Sequence, residues 1–449
     1  YRVDDLPGDG NALVEHLLAG PTNAGLAGRE IRESLSLEDY RAFFDTLPQA
    51  LRQAVTERWG PPEDDPFHVV GTGFALPFAR FGNIAVGIQP ARGYNIDPKE
   101  SYHAPDLPPP HNYVAAYAWL RTVFSVDAVI HMGKHGNLEW LPGKALALSQ
   151  ACAPRAILGP LPHLYPFIVN DPGEGTQAKR RNAAVIVDHL TPPLARAESY
   201  GMLRDLEGLV DEYYEAEQGD RRRADALRPK ILQLAADSGL AEDAGIAGEA
   251  APDAALVKLD AYLCDLKEMQ IRDGLHVFGR SPEGGLRDEL VVAMLRLPRG
   301  TAPQDASLIR ALAQDLQLGD FDPLACELSA PWTGHRPQLL NSLSTDPWRS
   351  CGDTVERLEL LSSRLVAGTL DMDIPMPATA PVLAFMRDTL APAVDGCGQA
   401  ELAGLLTGPD GRFLAPGPSG APTRGRPDVL PTGRNFYSCL LYTSPSPRD

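Results

Sequence analysis

The sequence predicts a multidomain α/β protein: mixed α/β layers with mostly parallel strands, joined to substantial helical segments. Three observations carry this. Between residues 63 and 195, short apolar runs bounded by turn residues alternate with helical stretches, the order that crossover-connected sheets produce. Long amphipathic stretches dominate from residue 196 onward. The chain of 449 residues is also too long for one ordinary core, and about three domains is the expectation.

Residues 1–62 read as a helical segment, the end of a preceding domain. Gly10 to Leu18 and Ser36 to Trp59 carry apolar residues at three- and four-residue spacing. Gly60-Pro61-Pro62, followed by Glu63-Asp64-Asp65-Pro66, breaks the pattern. In the α/β core, residues 63–195, the runs Phe67 to Val70 and Asn83 to Ile88 read as short buried strands. His111 to Phe124 reads as a helix and Asp127 to Met132 as another buried strand. Leu164 to Val169 and Ala183 to Asp188 are further strands, with a helix from Pro172 to Asn182 between them. Residues 196–300 form a helical domain, with stretches at Leu203–Glu217, Arg222–Ala236 and Asp253–Asp273. Residues 301–438 are helical and mixed, and include a Gly/Pro-rich loop at 408–433 of a kind that compact domains keep for a reason.

Apolar residues make up 44% and charged residues 22%, as in a soluble globular protein. The net charge of −18 works against nucleic acid as a partner, because phosphate binding needs a surplus of Lys and Arg. Lys179-Arg180-Arg181 and Arg221-Arg222-Arg223 read as solvated helix faces. No apolar run approaches the ~20 residues of a membrane span. The six cysteines are scattered without a CxxC pair, which suits a reduced, cytoplasmic protein and offers no thiolate metal site. The sequence opens at Tyr1, with neither an initiator Met nor a signal peptide, and reads as a fragment.

The sharpest constellation is His131-Met132-Gly133-Lys134-His135-Gly136-Asn137-Leu138-Glu139-Trp140, directly after a strand, where sheet ligands bind. His131, His135 and Glu139 are four apart, but the glycines favour a loop over a helix. Two imidazoles and a carboxylate suit a borderline divalent ion such as Co²⁺. They equally suit proton transfer, since His and Glu are tuned towards neutral pKa; a purely structural hydrogen-bonding role is the bland alternative. Asn170-Asp171-Pro172-Gly173-Glu174 reads first as a helix cap, with Asp171 capping and Pro172 in the first turn. Free N–H groups there would also suit an anion. Arg92-Gly93-Tyr94 and Tyr102-His103, in a Pro-rich loop, would either wall a flat macrocycle or pack as a surface loop. Leu266 to Gly279 reads as a helix stopped by Gly274, a structural role. Phosphate loops of the GxxxxGK[ST] type, GxGxxG, HExxH and the Gly-x-Ser-x-Gly elbow are all missing from the sequence, so any ATP hydrolysis would belong to a partner.

Four long motifs occur in order: HMGKHGNLEWLPGKALALS (131–149), YPFIVNDPGEGTQAKRRNAAVIVDHLTPPLARAES (165–199), LCDLKEMQIRDGLHVFG (263–279) and RPDVLPTGRNFYS (426–438). Together they resemble the large subunits of aerobic cobaltochelatases, in the CobN/magnesium chelatase H subunit family. The resemblance runs from about Gly10 to Ser438, and the run GIQPARGYNIDPKESYH fits the cobalt branch. It implies the tetrapyrrole-binding catalytic subunit of an ATP-dependent cobaltochelatase, inserting Co²⁺ into hydrogenobyrinic acid a,c-diamide in cobalamin synthesis. ATP and Mg²⁺ would be used by two partners, an AAA+ ATPase subunit and a subunit with an integrin-like domain.

With that resemblance, Glu139 is the expected base or metal guide, and His131 and His135 the metal-delivery ligands, so that His131, His135 and Glu139 form both the catalytic and the metal set. Arg92, Tyr94, His103, Lys179, Arg434 and Asn435 are the expected contacts to the ring. Large subunits of this family are more than twice this length, so the resemblance implies that an N-terminal part lies outside this sequence. One departure stands out: after Ser438 the residues Cys439 to Asp449 match nothing expected there and read as a non-native tail.

Overall fold

The computed structural model describes residues 3–94, 106–133, 136–146, 148–192, 221–237, 240–246, 251–256, 275–327, 330–345, 351–370 and 375–437, with scattered positions between 206 and 216, at 258, 259 and 262, and at 348. It is a mixed α/β protein made of two compact units. The first comprises residues 1–167, 172–187 and 405–415; the second comprises 168–171, 188–404 and 416–449.

In the first unit, α1 (Gly10–Ala19) is capped by Asp9, whose carboxylate accepts from the Ala12 N–H at 2.8 Å. Ser36 caps α2 (Leu37–Asp45) in the same way, and Pro48 interrupts the apolar periodicity before α3 (Gln49–Trp59), so the predicted single helix is two. Strands β1 (Glu33–Leu35), β2 (His68–Val69) and β3 (Gly73–Leu76) form an antiparallel sheet in the order β1-β3-β2. Strands β4 (Phe78–Phe81) and β5 (Ile84–Gly87) pair antiparallel across a two-residue turn. Helix α4 (His111–Thr122) is buried from His111 to Trp119. Its Trp119 stacks on Phe78 and Phe124 with ring centroids 5.0 and 5.2 Å apart, a burial that contributes about 4–6 kcal/mol at the usual area coefficient.

One core holds Leu35, Tyr40, Phe43 and Leu51 together with Phe74, Leu76 and Tyr113 to Trp119. Residues 1–62 therefore fold into the same unit as the α/β core. The boundary expected near residue 62 falls inside a single hydrophobic cluster, because β1 pairs with β3 and α2 packs on α4.

The sheet that positions the site contains β6 (Val129–Ile130), β7 (His163–Ile168) and β8 (Val185–His189) in the order β6-β7-β8, with β6 parallel to β7. Helix α5 (Ala153–Leu158) lies on the β6–β7 connection and α6 (Pro172–Asn182) on the β7–β8 connection. Parallel pairing is thus found where the βαβ pattern predicted it, while the short N-terminal strands pair antiparallel.

The second unit is mainly helical. Helices α7 (Arg221–Asp237) and α8 (Leu240–Asp243) share an apolar cluster with Leu206, Tyr213, Leu256 and Leu259. A larger cluster gathers α9 (Gly284–Arg296), α10 (Leu308–Asp315), α11 (Gln338–Asn341) and α12 (Cys351–Val366). It also takes in α13 (Thr379–Phe385), which runs through a π-turn at Met386–Leu390 into α14 (Ala391–Thr407). Strands β9 (Pro416–Pro418) and β10 (Asn435–Tyr437) pair in parallel. The Leu203–Glu217 and Asp253–Asp273 predictions fall largely outside the described residues, as does the tail from 438 onward. Among the described residues, Cys152, Cys326, Cys351 and Cys397 are free thiols, and no helix is long and apolar enough to cross a membrane.

Candidate functional site

The residues that follow β6 form a loop and then a 3₁₀ turn, Leu138–Trp140, which carries Glu139 into the interior, 2% exposed. Glycines permit this path. A Cβ on Gly136 would lie 2.8 Å from the Tyr165 hydroxyl oxygen and 2.9 and 3.0 Å from the two Glu139 carboxylate oxygens. Gly143, at φ 147°, lets the exit of the loop pass the Cys152 side chain, which a Cβ would meet at 2.7 Å.

Four sets of hydrogen bonds hold the loop. The Gly136 N–H donates to the Tyr165 hydroxyl. The Asn137 N–H donates to Gln89 Oε1 at 3.2 Å, and Asn137 Nδ2 donates to the Pro90 carbonyl at 3.1 Å. Arg181, on α6 and 8% exposed, donates from Nη1 to the Glu139 carbonyl and from Nη2 to the Leu141 carbonyl, both at 2.7 Å. Asn182, oriented so that both its amide groups are satisfied, accepts from the Glu139 N–H and donates to the Arg181 carbonyl, each at 3.2 Å. The predicted solvated face Lys179-Arg180-Arg181 is therefore not one at Arg181, whose fork is consumed by the backbone of the loop. Arg221, Arg222 and Arg223 are exposed, as expected.

Beside this turn lies a cluster of rings. His131 sits on the edge of the cluster, half-buried, with its Nδ1 3.0 Å from His163 Nε2 and its Nε2 3.1 Å from the Tyr117 hydroxyl. The two imidazoles meet edge to face at 4.5 Å, and His163, 2% exposed, stacks on Tyr165 at 5.7 Å. Gln89 Nε2 donates to both the Tyr117 and Tyr113 hydroxyls, at 2.9 and 3.2 Å, and Tyr113 donates to Asn137 Oδ1 at 2.8 Å. Desolvation pushes His131 down to about 4 and His163 well below its ordinary value, the latter reinforced by the neighbouring His131. Both imidazoles are thus neutral near pH 7, with lone pairs on offer.

Arg92 is buried in the same electrostatic neighbourhood. Burial lowers its guanidinium, Tyr113 raises it, Arg181 lowers it and Glu139 raises it, for a net shift below the ordinary value. Glu139 therefore lies within the field of two buried cations, Arg92 and Arg181. A carboxylate in that setting is equipped to accept a proton or to hold a divalent cation in passing.

The other predicted residues are distributed differently. Tyr94, at φ 59°, donates its hydroxyl to the buried Asp65 carboxylate at 2.5 Å and packs edge to face on Trp59. Asp65 also accepts from the Phe67 and Asn112 N–H groups, so Tyr94 closes a turn of the fold rather than standing open to a ring. Lys179 is half-buried on α6. His103 and His135 lie outside the described residues, and among the described residues no group of three His, Cys, Asp or Glu side chains is placed to hold a metal.

Arg434 and Asn435 belong to the second unit. There the Asp188 carboxylate accepts from the Arg434 N–H at 2.8 Å, and the Asp188 N–H and carbonyl pair with the Arg434 carbonyl and Gly433 N–H. The Arg434 guanidinium donates to the Asp428 carbonyl at 3.1 Å, and Asn435 opens β10. Close by, Glu401 is fully buried and accepts four hydrogen bonds. Leu190 N–H and Thr432 Oγ1 reach one oxygen; His276 Nε2 and Gly279 N–H reach the other. Of the Leu266–Gly279 stretch, the helix predicted up to Gly274 lies outside the described residues, while His276 and Gly279 dock on this carboxylate.

The sequence assigned no role to His163, Tyr165, Gln89 or Tyr117, and read Arg181 only as part of a solvated face. A signal existed for two of them: His163 and Tyr165 alternate on β7 within an apolar run, and β7 pairs with the strand that ends just before His131.

Comparison with known proteins adds to this picture. The sequence profile described as CobN/Magnesium Chelatase matches residues 1–448. The aerobic cobaltochelatase subunit CobN of a Sinorhizobium species is 60% identical over 465 residues, covering 100% of this chain and 36% of that protein. The same-named subunit of Pseudomonas aeruginosa is 54% identical, with 100% and 36% covered. The chloroplastic magnesium-chelatase subunit ChlH of rice is 27% identical, covering 98% of this chain and 33% of its own length. Among solved structures, the catalytic subunit of cobaltochelatase from Mycobacterium tuberculosis superimposes with a TM-score of 0.65 at 39% identity, covering 98% of this chain and 36% of that one. The chain therefore spans a little over a third of the length of these relatives.

Proposed function

Because the chain belongs to the CobN/magnesium chelatase family, we propose that it supplies the metal-insertion site of the catalytic, tetrapyrrole-binding subunit of an ATP-dependent cobaltochelatase. The reaction is insertion of Co²⁺ into hydrogenobyrinic acid a,c-diamide during aerobic cobalamin synthesis, in the cytoplasm. The cobalt branch is favoured over the magnesium branch by the much higher identity to the relatives named cobaltochelatase.

The observation that carries the reading is the buried Glu139 carboxylate, held against Gly136 in the loop that follows a parallel strand. Metal insertion requires that protons leave the ring nitrogens and that water leave the metal. A desolvated carboxylate accepts the protons, and the same oxygens hold the ion as it sheds water. His131 and His135 are the proposed delivery ligands, with Nε2 of His131 reached when the Tyr117 hydroxyl turns aside. Arg92 and Lys179 serve the anionic and amide periphery of the ring. ATP and Mg²⁺ are handled by the AAA+ ATPase subunit and the integrin-domain subunit, the expected partners.

The test is a titration of the protein with hydrogenobyrinic acid a,c-diamide and with protoporphyrin IX, followed by Co²⁺ insertion in the presence of both partners and ATP. The reading expects selective corrinoid binding, and a Glu139→Gln variant that binds the ring normally but no longer inserts cobalt. Preference for the porphyrin would move the proposal to magnesium chelation. Normal insertion by Glu139→Gln would remove Glu139 from its role.

A further inference from the structure

We propose that His163 is a positioning residue that fixes His131 as its Nδ1–H tautomer, so that the Nε2 lone pair of His131 faces the Tyr117 hydroxyl. Nothing above assigns His163 a role, and the inference rests on the reading of His131 as a site residue.

The order of hydrogen bonds around His131 points to this tautomer. Asn137 is oriented by its own neighbours: Nδ2 donates to the Pro90 carbonyl, so Oδ1 faces Tyr113, and the Tyr113 hydroxyl must donate to it. Gln89 is oriented by the Asn137 backbone, whose N–H donates to Oε1. Both hydrogens of Gln89 Nε2 are then directed at the two tyrosine oxygens, which accept. Donation of the Tyr117 hydrogen to His131 Nε2, 3.1 Å away, completes this order. That nitrogen therefore carries a lone pair, and the proton of the neutral ring sits on Nδ1, donating to His163 Nε2 at 3.0 Å.

The reverse order would place two donors, from Gln89 and His131, on Tyr117 and turn its hydrogen away from the imidazole. In the proposed order His163 Nδ1, which has no hydrogen-bond partner, carries the remaining hydrogen. Such unsatisfied buried groups are rare and concentrate where function holds them. A ring nitrogen becomes available to a metal or a proton according to the hydrogen bond its other nitrogen makes. His163 makes that bond for His131.

The tautomer is readable by NMR of ring-labelled histidine in the 449-residue chain, without ring substrate or metal. The His131 signals are assigned by their loss in His131→Gln. The expected result is the Nδ1–H tautomer in the wild type. It persists in His163→Gln, whose amide oxygen still accepts, and is lost in His163→Leu, which accepts nothing. In the assembled chelatase, His163→Leu lowers kcat for Co²⁺ insertion by about 10- to 100-fold, the range for residues that orient a ligand, with KM for the ring unchanged and most of the rate restored in His163→Gln. An Nε2–H tautomer in the wild type overturns the proposal, as does a His163→Leu variant with an unchanged tautomer. Should His163→Leu fail to fold, the wild-type and His163→Gln spectra decide. Absence of cobalt insertion by the wild type would refute the chelatase reading while leaving the tautomer result standing.

Discussion

Arg181→Lys separates the support of the candidate site from its chemistry. Arg181 spans two backbone carbonyls, of Glu139 and Leu141, with two bonds of 2.7 Å from one rigid fork. Lysine is a point charge and bridges at most one of them. The loss is therefore one hydrogen bond to a charged donor, about 1.5–3 kcal/mol, which already includes the carbonyl left unmade in the interior. At about 2–4 °C per kcal/mol for a domain of this size, thermal unfolding should move down by roughly 3–12 °C. The kinetic effect comes from the turn itself. Releasing the Glu139 carbonyl lets the carboxylate drift, and a misplacement of about 1 Å costs on the order of 100-fold in rate. Circular dichroism melts and single-turnover insertion assays give both numbers. On a Glu139→Gln background the kinetic effect should vanish while the stability loss persists, since the two changes act on one group. A variant with a wild-type melting temperature and wild-type insertion would refute the claim that this fork holds the site.

Two further predictions concern the second unit. Burial pushes the Asp188 carboxyl up to about 7 against the opposing Arg434 N–H, from an ordinary value of 3.8. The native state thus binds more protons than the unfolded chain between these values, and this group's contribution to stability is present at low pH and lost as pH rises through about 7; urea denaturation across that window should show Asp188→Asn without that decline. Glu401→Leu strands Leu190 N–H, Gly279 N–H, the Thr432 hydroxyl and His276 together, and should lower stability by about 3–5 kcal/mol, seen as a lower urea midpoint.

The parts of the fold that were legible in the sequence are those governed by local rules. Helix α6 begins at Pro172 and ends at Asn182 as read, because Pro at a helix start and the following strand pattern are short-range signals. The Ser36–Trp59 helix was over-extended for the opposite reason: apolar periodicity continues across Pro48, and only the proline's missing N–H divides it. Strand β1, three residues long, is defined by its pairing with β3 across some forty residues and leaves no periodic trace.

The site shows the same division. Glu139 and His131 stand out in the sequence because a Gly- and His-rich loop follows a strand. Arg181 was read as surface because its charge says nothing of two carbonyls that approach only in three dimensions. Tyr94 was read as either walling a ring or packing in a surface loop, and its hydroxyl partner, Asp65, lies 29 positions earlier in the acidic turn that breaks the helical pattern.

The Glu401 carboxylate has a consequence for the time course of folding. Its donors lie 211, 125, 122 and 31 positions away along the chain. Contacts of such separation form only after the intervening loops have closed, so they are largely unmade at the folding barrier. Stabilisation gained after the barrier slows escape from the native state without speeding its formation. Glu401 acts, in that sense, as a late-closing clasp: it sets how long the second unit lasts once folded, more than how quickly it gets there.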